Sequence, residues 1–388
     1  MRIVPAPTMR AVLGIDIGGT KISLCAVNEC GQILASHRIP TRSSDGASAV
    51  LERLTGAAKD LVAQIRVGHL AQVCGVGVVT PGVVGADSVK LAPNNHGWEH
   101  VALTATIRER LNLDAVEADN DAKAATAAEA RWGALAGFSD GLLINLGTGI
   151  SAGAIVGGQL LRGAHGAALE IAYQVPSDGP LRGFRHGGAP LEDTFSGTGL
   201  QARASAMLGR PTGTDEVFEA MTLAAGSDPF KRPGDDQAQL AALGRQALDL
   251  AARAIANLAI ALDPQIVAVS GGMLGSADQI LPRLALALEE LVPFPPRLVL
   301  AHFAQHAPLA GACLLAYGAA RLPVPDDLLI NNTDQPSLPR VALPRSGMVA
   351  HGAGRPGGRD QSRLGTGPGA AVAPGRSTGR AAHVVGDR

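Results

Sequence analysis

Short apolar blocks alternate with turns from Ala11 to Arg38. With breaks at Gly18-Gly19 and Asn28–Gly31, they predict three strands in a meander. Val50, Leu51, Leu54, Ala57, Leu61 and Ile65 fall at helical spacing and predict a helix over Ala47–Val67. A valine-rich strand over Val73–Val79 ends at Thr80-Pro81-Gly82. A helix over Leu103–Leu111, a brief strand from Asp114 to Ala118 and an alanine-rich helix from Asp121 to about Ala136 follow. The plan then repeats. Gly141–Leu146, Ser151–Val156 and Gln159–Arg162 read as strands joined at Gly147-Thr148-Gly149 and Gly157-Gly158. Residues 177–190 read as a loop rich in Gly, Pro and Arg. A long helix over Gln237–Leu262, a strand over Ile266–Ser270, a helix over about Ser276–Leu291, a strand over Leu298–Ala301 and a helix over Leu309–Leu322 complete the pattern. Such an order indicates two α/β lobes with mixed sheets.

Composition narrows this picture without redirecting it. The chain has 388 residues, 46% of them hydrophobic, with a net charge of −1. That is enough for two cores, and bulk charge does not point to nucleic acid. No apolar run reaches membrane-spanning length, and MRIVPAPTMR lacks the apolar segment of a signal peptide. A cytoplasmic location is therefore the expectation. Cys25, Cys30, Cys74 and Cys313 form no CxxC pair, so neither disulfides nor a cysteine zinc site is expected. Beyond Pro323 lysine is absent and apolar periodicity vanishes. The stretch 323–388 is expected to be a disordered tail, because it offers too little apolar surface to offset ordering entropy.

The candidate chemistry lies in glycine turns that close strands. GIDIGGTK (14–21) and NLGTGIS (145–151) each follow an apolar strand, one in each half. Their backbone donors suit a polyphosphate gripped from two sides, through Gly18, Gly19, Thr20 and Lys21 on one turn and Gly147, Thr148 and Gly149 on the other. VSGGML (269–274) adds Gly271 and Gly272, where a flat base or ribose could lie against bare backbone. The bland alternatives are ordinary hairpin turns and a Lys21 that points to solvent. Neither a Walker A sequence nor GxGxxG after the first strand is present. Asp16, at the mouth of the first turn, suits a magnesium ion reached through water.

These segments, together with GVGVVTPGVV (75–84), PNNHGW (93–98), DNDAKAATAAE (119–129), LLRGAHGAALE (160–170) and DPQIVAVSGGM (263–273), resemble the ROK family of sugar kinases within the actin-like ATPase superfamily. The resemblance spans about residues 10–322. It implies a two-lobed actin-like (ribonuclease-H-like) fold with an interdomain cleft. It also implies ATP- and Mg²⁺-dependent phosphorylation of a hexose, usually at the 6-hydroxyl. The family's catalytic base falls on Asp121, where a carboxylate can orient a sugar hydroxyl and accept its proton. Read without the family, Asn120 and Asp121 are a helix cap. Asn120 and Glu170 fall on family positions that hydrogen-bond the sugar, and Asn94 and Asn95 lie in the sugar-side loop.

Departures from the family pattern are equally informative. The usual Glu-x-Gly-His here reads Glu170-Ile171-Ala172-Tyr173, so Tyr173 stands where a sugar-contacting histidine is usual. The cysteine-rich zinc segment is replaced by GFRHGGAPLED (183–193), where only His186 could ligate zinc. No structural zinc is expected. Glu192 matches the segment's last, sugar-side position. The tyrosine shifts the expectation from glucose towards a modified or amino-hexose such as kanosamine. Repressors of this family carry a helix-turn-helix before the fold; here the first strand begins by about Ala11, so DNA binding is not expected. The expected lobes are 9–117 with the helix 307–322, and 118–306. A homodimer is compatible with the sequence. The contrasting functional class is a catalytically silent sugar-binding regulator, and polyphosphate is the alternative donor.

Overall fold

The computed structural model describes residues 9–69, 71–92, 97–175, 183–226 and 235–330. The tail expected to be disordered lies outside them from residue 331 onward.

The first part of the chain runs β1 (Met9–Ile17), β2 (Lys21–Asn28), β3 (Ile33–Pro40), α1 (Ala47–Gly68) and β4 (Ala71–Thr80). A small hairpin, β5 (Val83–Val84) and β6 (Val89–Lys90), leads to α2 (Leu103–Leu111), β7 (Val116–Asn120) and α3 (Asp121–Trp132). The second part is β8 (Gly141–Leu146), β9 (Ile150–Val156), β10 (Gln159–Leu160), α4 (Pro190–Thr194), α5 (Gly197–Leu208), α6 (Thr214–Gly226), α7 (Asp235–Leu262), β11 (Ile266–Ser270), α8 (Ala277–Leu291), β12 (Arg297–Leu300) and α9 (Ala307–Ala320). The hairpin β5–β6 and helices α4, α5 and α6 have no counterpart in the sequence reading, and the Asp114–Ala118 strand is shifted to end at Asn120.

Two five-stranded sheets carry the same plan. Their orders are β3-β2-β1-β4-β7 and β10-β9-β8-β11-β12. In each, an antiparallel meander supplies three strands, and two later strands join in parallel through helical crossovers. The turns at 18–20 and 147–149 therefore occupy equivalent positions, each between the first two strands of a sheet. The end of β11 at Ser270 corresponds to the end of β4 at Thr80.

α1 lays Val50, Leu51, Leu54, Ala58, Leu61 and Ile65 on the first sheet, the buried stripe its spacing requires. In the second half, α7 buries Leu240, Leu243, Leu248, Ile255 and Leu258. α9 is apolar around its whole circumference because it is covered on several sides. It packs on β1 and β4 and against α3. Close approach explains two glycines at these crossings. A Cβ on Gly77 would lie 1.9 Å from the Ala312 carbonyl, and one on Gly311 would lie 2.2 Å from that of Ala124. Helix α3 reaches the other sheet too, where Gly153 of β9 leaves room for the Thr126 hydroxyl. Thus α3, whose first residue is Asp121, bridges the two sheets.

Candidate active site

Parallel strands leave their carboxyl ends on one edge of an α/β sheet, and ligands bind there. Asp16 lies near the end of β1, level with Val79 of β4, which is itself level with Asp119 of β7. The chain then turns directly into α3. Asn120 has extended backbone, and its Oδ1 accepts from Lys123 N at 3.0 Å, so it is the helix cap. Its Nδ2 donates to Gly82 O at 2.9 Å and to Asp121 Oδ1 at 3.1 Å. Asp121 Oδ1 also accepts from Ala122 N at 2.8 Å. The capping reading holds for Asn120, and capping itself aims the Asp121 carboxylate.

Asp121 shares a small cavity with Asn145, Ser151 and Ser270 from the second sheet and Pro308 at the start of α9. Its cavity partner Asn145 stands two residues before the second glycine turn, and the charge of Asp121 acts on Asp16 of the first sheet. Asn145, Ser151 and Ser270 were not singled out from sequence. Ser and Asn at strand ends carry no local signal that sets them apart.

Loss of hydration raises the Asp121 carboxyl, with Ala122 N–H and the Lys123 charge acting against it. Asp16 is pushed up to about 7, first by loss of hydration and then by the charge of Asp121, with Lys21 opposing. Two dehydrated carboxyls, one of them raised further by the charge of the other, form an environment that a divalent cation relieves. No cluster of three or more His, Cys, Asp or Glu exists among the described residues. An all-protein metal cage is thus missing there, whereas magnesium typically takes one or two carboxylates and fills its remaining positions with water and phosphate. Asp16 and Asp121 fit that demand.

The glycine turns differ in why they need glycine. Gly271 has φ +108°, and a Cβ there would lie 2.2 Å from Leu146 O, so packing alone requires it. Gly19 and Gly272 have no heavy atom within 4 Å of where a Cβ would stand, and neither has positive φ. Open space lies over both. Gly18 N donates to Lys21 O, Thr41 N bonds Thr20 O at 3.0 Å and Thr41 Oγ1 donates to Gly18 O at 2.6 Å, which fixes the first turn. Lys21 is exposed. The second turn is braced by α5: Gly197 N donates to Gly147 O at 2.8 Å, and Thr198 N and Oγ1 donate to Thr148 O at 3.1 and 2.8 Å. This brace comes from a segment read only as sequence without a role.

Glu170, Tyr173 and Glu192 come together on the other flank. Loss of hydration raises all three. Glu192 Oε2 accepts from Ile150 N at 3.0 Å, immediately after Gly149. Tyr173 packs edge-on against Phe184, with ring centres 5.5 Å apart. Both rings line a cavity of about 920 Å³ whose wall includes Val83, Val84, Val89 and Leu91. Asn94 and Asn95 lie outside the described residues. His186 Nδ1 accepts from Gly183 N at 3.4 Å. Arg162 pairs with Asp119 at 2.8 Å, and Asp119 Oδ1 accepts from Asn120 N.

Residues 12–319 match the ROK family. The chain is 34% identical over 312 residues to an N-acetylmannosamine kinase of Shigella boydii, covering 79% of this chain and 98% of that protein. It is 31% identical over 284 residues to a glucokinase of Streptomyces coelicolor, covering 70% and 85%. Among solved structures it resembles a ROK hexokinase from Thermus thermophilus, with TM-score 0.63 and 28% identity over 80% of this chain and 99% of that one. A ROK glucokinase from Streptomyces griseus, solved with glucose and AMPPNP, aligns with TM-score 0.60 and 28% identity over 79% and 99%.

Proposed function

The chain belongs to the ROK family, and on that premise we propose that it transfers the γ-phosphoryl group of ATP to the 6-hydroxyl of a hexose bearing an amino or acylamino substituent. The observation that carries this reading is the position of Asp121. It opens a helix that touches both sheets, beside Asp16 of the first and in one cavity with Asn145, Ser151 and Ser270 of the second.

The roles follow from that placement. Asp121 orients the acceptor hydroxyl and takes its proton as the phosphoryl group moves. Asn120 holds the carboxylate through Nδ2 and, with Glu170 and Glu192, offers an oxygen that accepts from ring hydroxyls. Gly18 N and Gly147 N close their own turns on Lys21 O and Gly149 O, so the N–H groups of Gly19, Thr20, Thr148 and Gly149 are the ones that face the phosphates, and Gly271-Gly272 lies beneath the nucleoside. Asp16 would hold Mg²⁺ through water, and that ion would supply charge neutralisation on the phosphates.

Two features favour a substituted hexose over glucose. Tyr173 offers a phenolic hydroxyl of different reach and shape from the histidine usual at that position. The cavity it lines with Phe184 is separate from the one that holds Asp121, and its largely aliphatic wall suits a substituent on the ring rather than the reacting hydroxyl. The named kinases of N-acetylmannosamine and of glucose are similar to this chain to nearly the same degree, so identity alone does not choose between them.

The test is ADP release with glucose, N-acetylmannosamine, glucosamine, kanosamine, mannose and fructose, with polyphosphate compared as donor. The reading expects ATP-dependent turnover, faster with at least one nitrogen-bearing hexose than with glucose. Saturable sugar binding without ADP release would instead identify a silent sugar-binding protein.

A further inference from the structure

Lys123 is buried, with its side chain only 2% exposed. Lysine is almost never fully buried unless paired. It also sits in the first turn of α3, where the helix dipole disfavours a cation. Two costs at one position call for a compensating partner. Its Nζ lies 3.6 Å from Glu170 Oε1, and its charge also acts on Asp121, two residues earlier. Glu170 follows Leu169, whose φ of +61° is costly for a branched side chain. The loop thus accepts strain immediately before the carboxylate that meets the lysine.

We propose that Lys123 is a positioning residue: its ammonium ties Glu170 to the first turn of α3, so that the sugar-side carboxylate and the Asp121 base are set by the same helical turn. This rests on the kinase reading for its purpose, though the tie itself does not. The groups that act on Glu170 are Lys123, Asp121 and Glu192.

The test is a double-mutant cycle on the full chain with Lys123→Met, Glu170→Gln and the pair, using glucose and N-acetylmannosamine as probes. Lys123→Met is expected to raise the sugar KM by roughly tenfold or more, as when a buried ion pair loses one partner. The KM for ATP stays near wild type. The double variant is no worse than Glu170→Gln, because the lysine acts through that carboxylate. Lys123→Arg, which keeps the cation, recovers part of the sugar KM, whereas Lys123→Gln, uncharged and one bond shorter, does not. Additive effects, or sugar and ATP KM rising together, overturn the proposal. The Arg and Gln variants decide it if the Met variant fails to fold. A sugar-free readout separates this inference from the kinase reading. The carboxyl ¹³C resonance of Glu170, assigned by its loss in Glu170→Gln, should titrate at higher pH in Lys123→Met than in wild type. An unmoved titration overturns the tie even if no hexose is phosphorylated, and a moved one upholds it.

Discussion

Asp16 and Asp121 stand at the same end of one sheet, one strand apart across β4, and the charge of Asp121 raises the carboxyl of Asp16. Moved from an ordinary 3.8 to about 7, Asp16 keeps its proton in the folded chain over a range where the unfolded chain has released it. The folded state then binds more protons, so stability falls as pH rises through that window. The contribution is complete below the unfolded value and lost as pH passes about 7. Asp16→Asn should therefore flatten the dependence of melting temperature on pH between these values. At pH ~8 it should melt roughly 2–4 °C above wild type, the shift that about 1 kcal/mol produces in domains of 150–250 residues. Magnesium with a nonhydrolysable ATP analogue should raise the wild-type midpoint more than that of the variant. Parallel melting curves across the pH range would rule this out.

Asp121→Asn keeps the cap and loses the base. Asn120 still bonds Lys123 N and Gly82 O, so the start of α3 is retained. Turnover should drop roughly 10²–10⁴-fold, the usual contribution of a positioned general base. Circular dichroism and the sugar dissociation constant should remain near wild type. Near-normal turnover removes Asp121 from the mechanism.

Gly19 and Gly272 discriminate ligand from fold. Because a Cβ at either place meets nothing within 4 Å, alanine should change stability by no more than about 0.5 kcal/mol. If phosphate and nucleoside lie there, each substitution raises the KM for ATP several-fold and leaves the sugar KM alone. Gly271→Ala is the control with the opposite signature, a clear loss of stability, since its Cβ would press on Leu146 O. An unchanged KM for ATP in both Gly19→Ala and Gly272→Ala would place the nucleotide elsewhere.

Glu129 links α3 to the entry of α9 and is fully buried. Its carboxylate accepts from Ala134 N at 2.7 Å, His302 N at 3.0 Å and Phe303 N at 2.8 Å. Glu129→Gln replaces an acceptor oxygen by an amide that faces N–H groups. The expected cost is about 2–4 kcal/mol, from lost charge-assisted bonds and unsatisfied donors. A urea titration should show a lower midpoint at unchanged slope. A change below about 0.5 kcal/mol would mean that the loop re-pairs with other acceptors.

Much of the fold was legible because strand blocks, helical stripes and glycine turns are local signals. The alternation around Gly18-Gly19 and Gly147–Gly149 exposes both meanders, and their repetition gives the two-lobed plan. Helix α5 has no counterpart in the sequence reading, since its opening Ser196-Gly197-Thr198-Gly199 carries two glycines of low helix propensity. That segment begins a helix where Ser196 Oγ accepts from Gly199 N and Gly197 N bonds Gly147 O. The second of those bonds spans fifty residues, and no periodicity within the segment encodes it.

Residue type and spacing thus determined the order of elements, the glycine turns and an acidic residue at the head of α3. Tertiary structure decided which of those residues meet. Nothing local to the alanine-rich helix distinguishes Lys123, and it is the 163–174 loop that brings Glu170 to its ammonium. Glu192 gained its Ile150 partner only when α4 folded back on β9. Such pairings depend on how distant segments cross, which is set by the summed packing of two sheets and α9 and not by any local run of the chain.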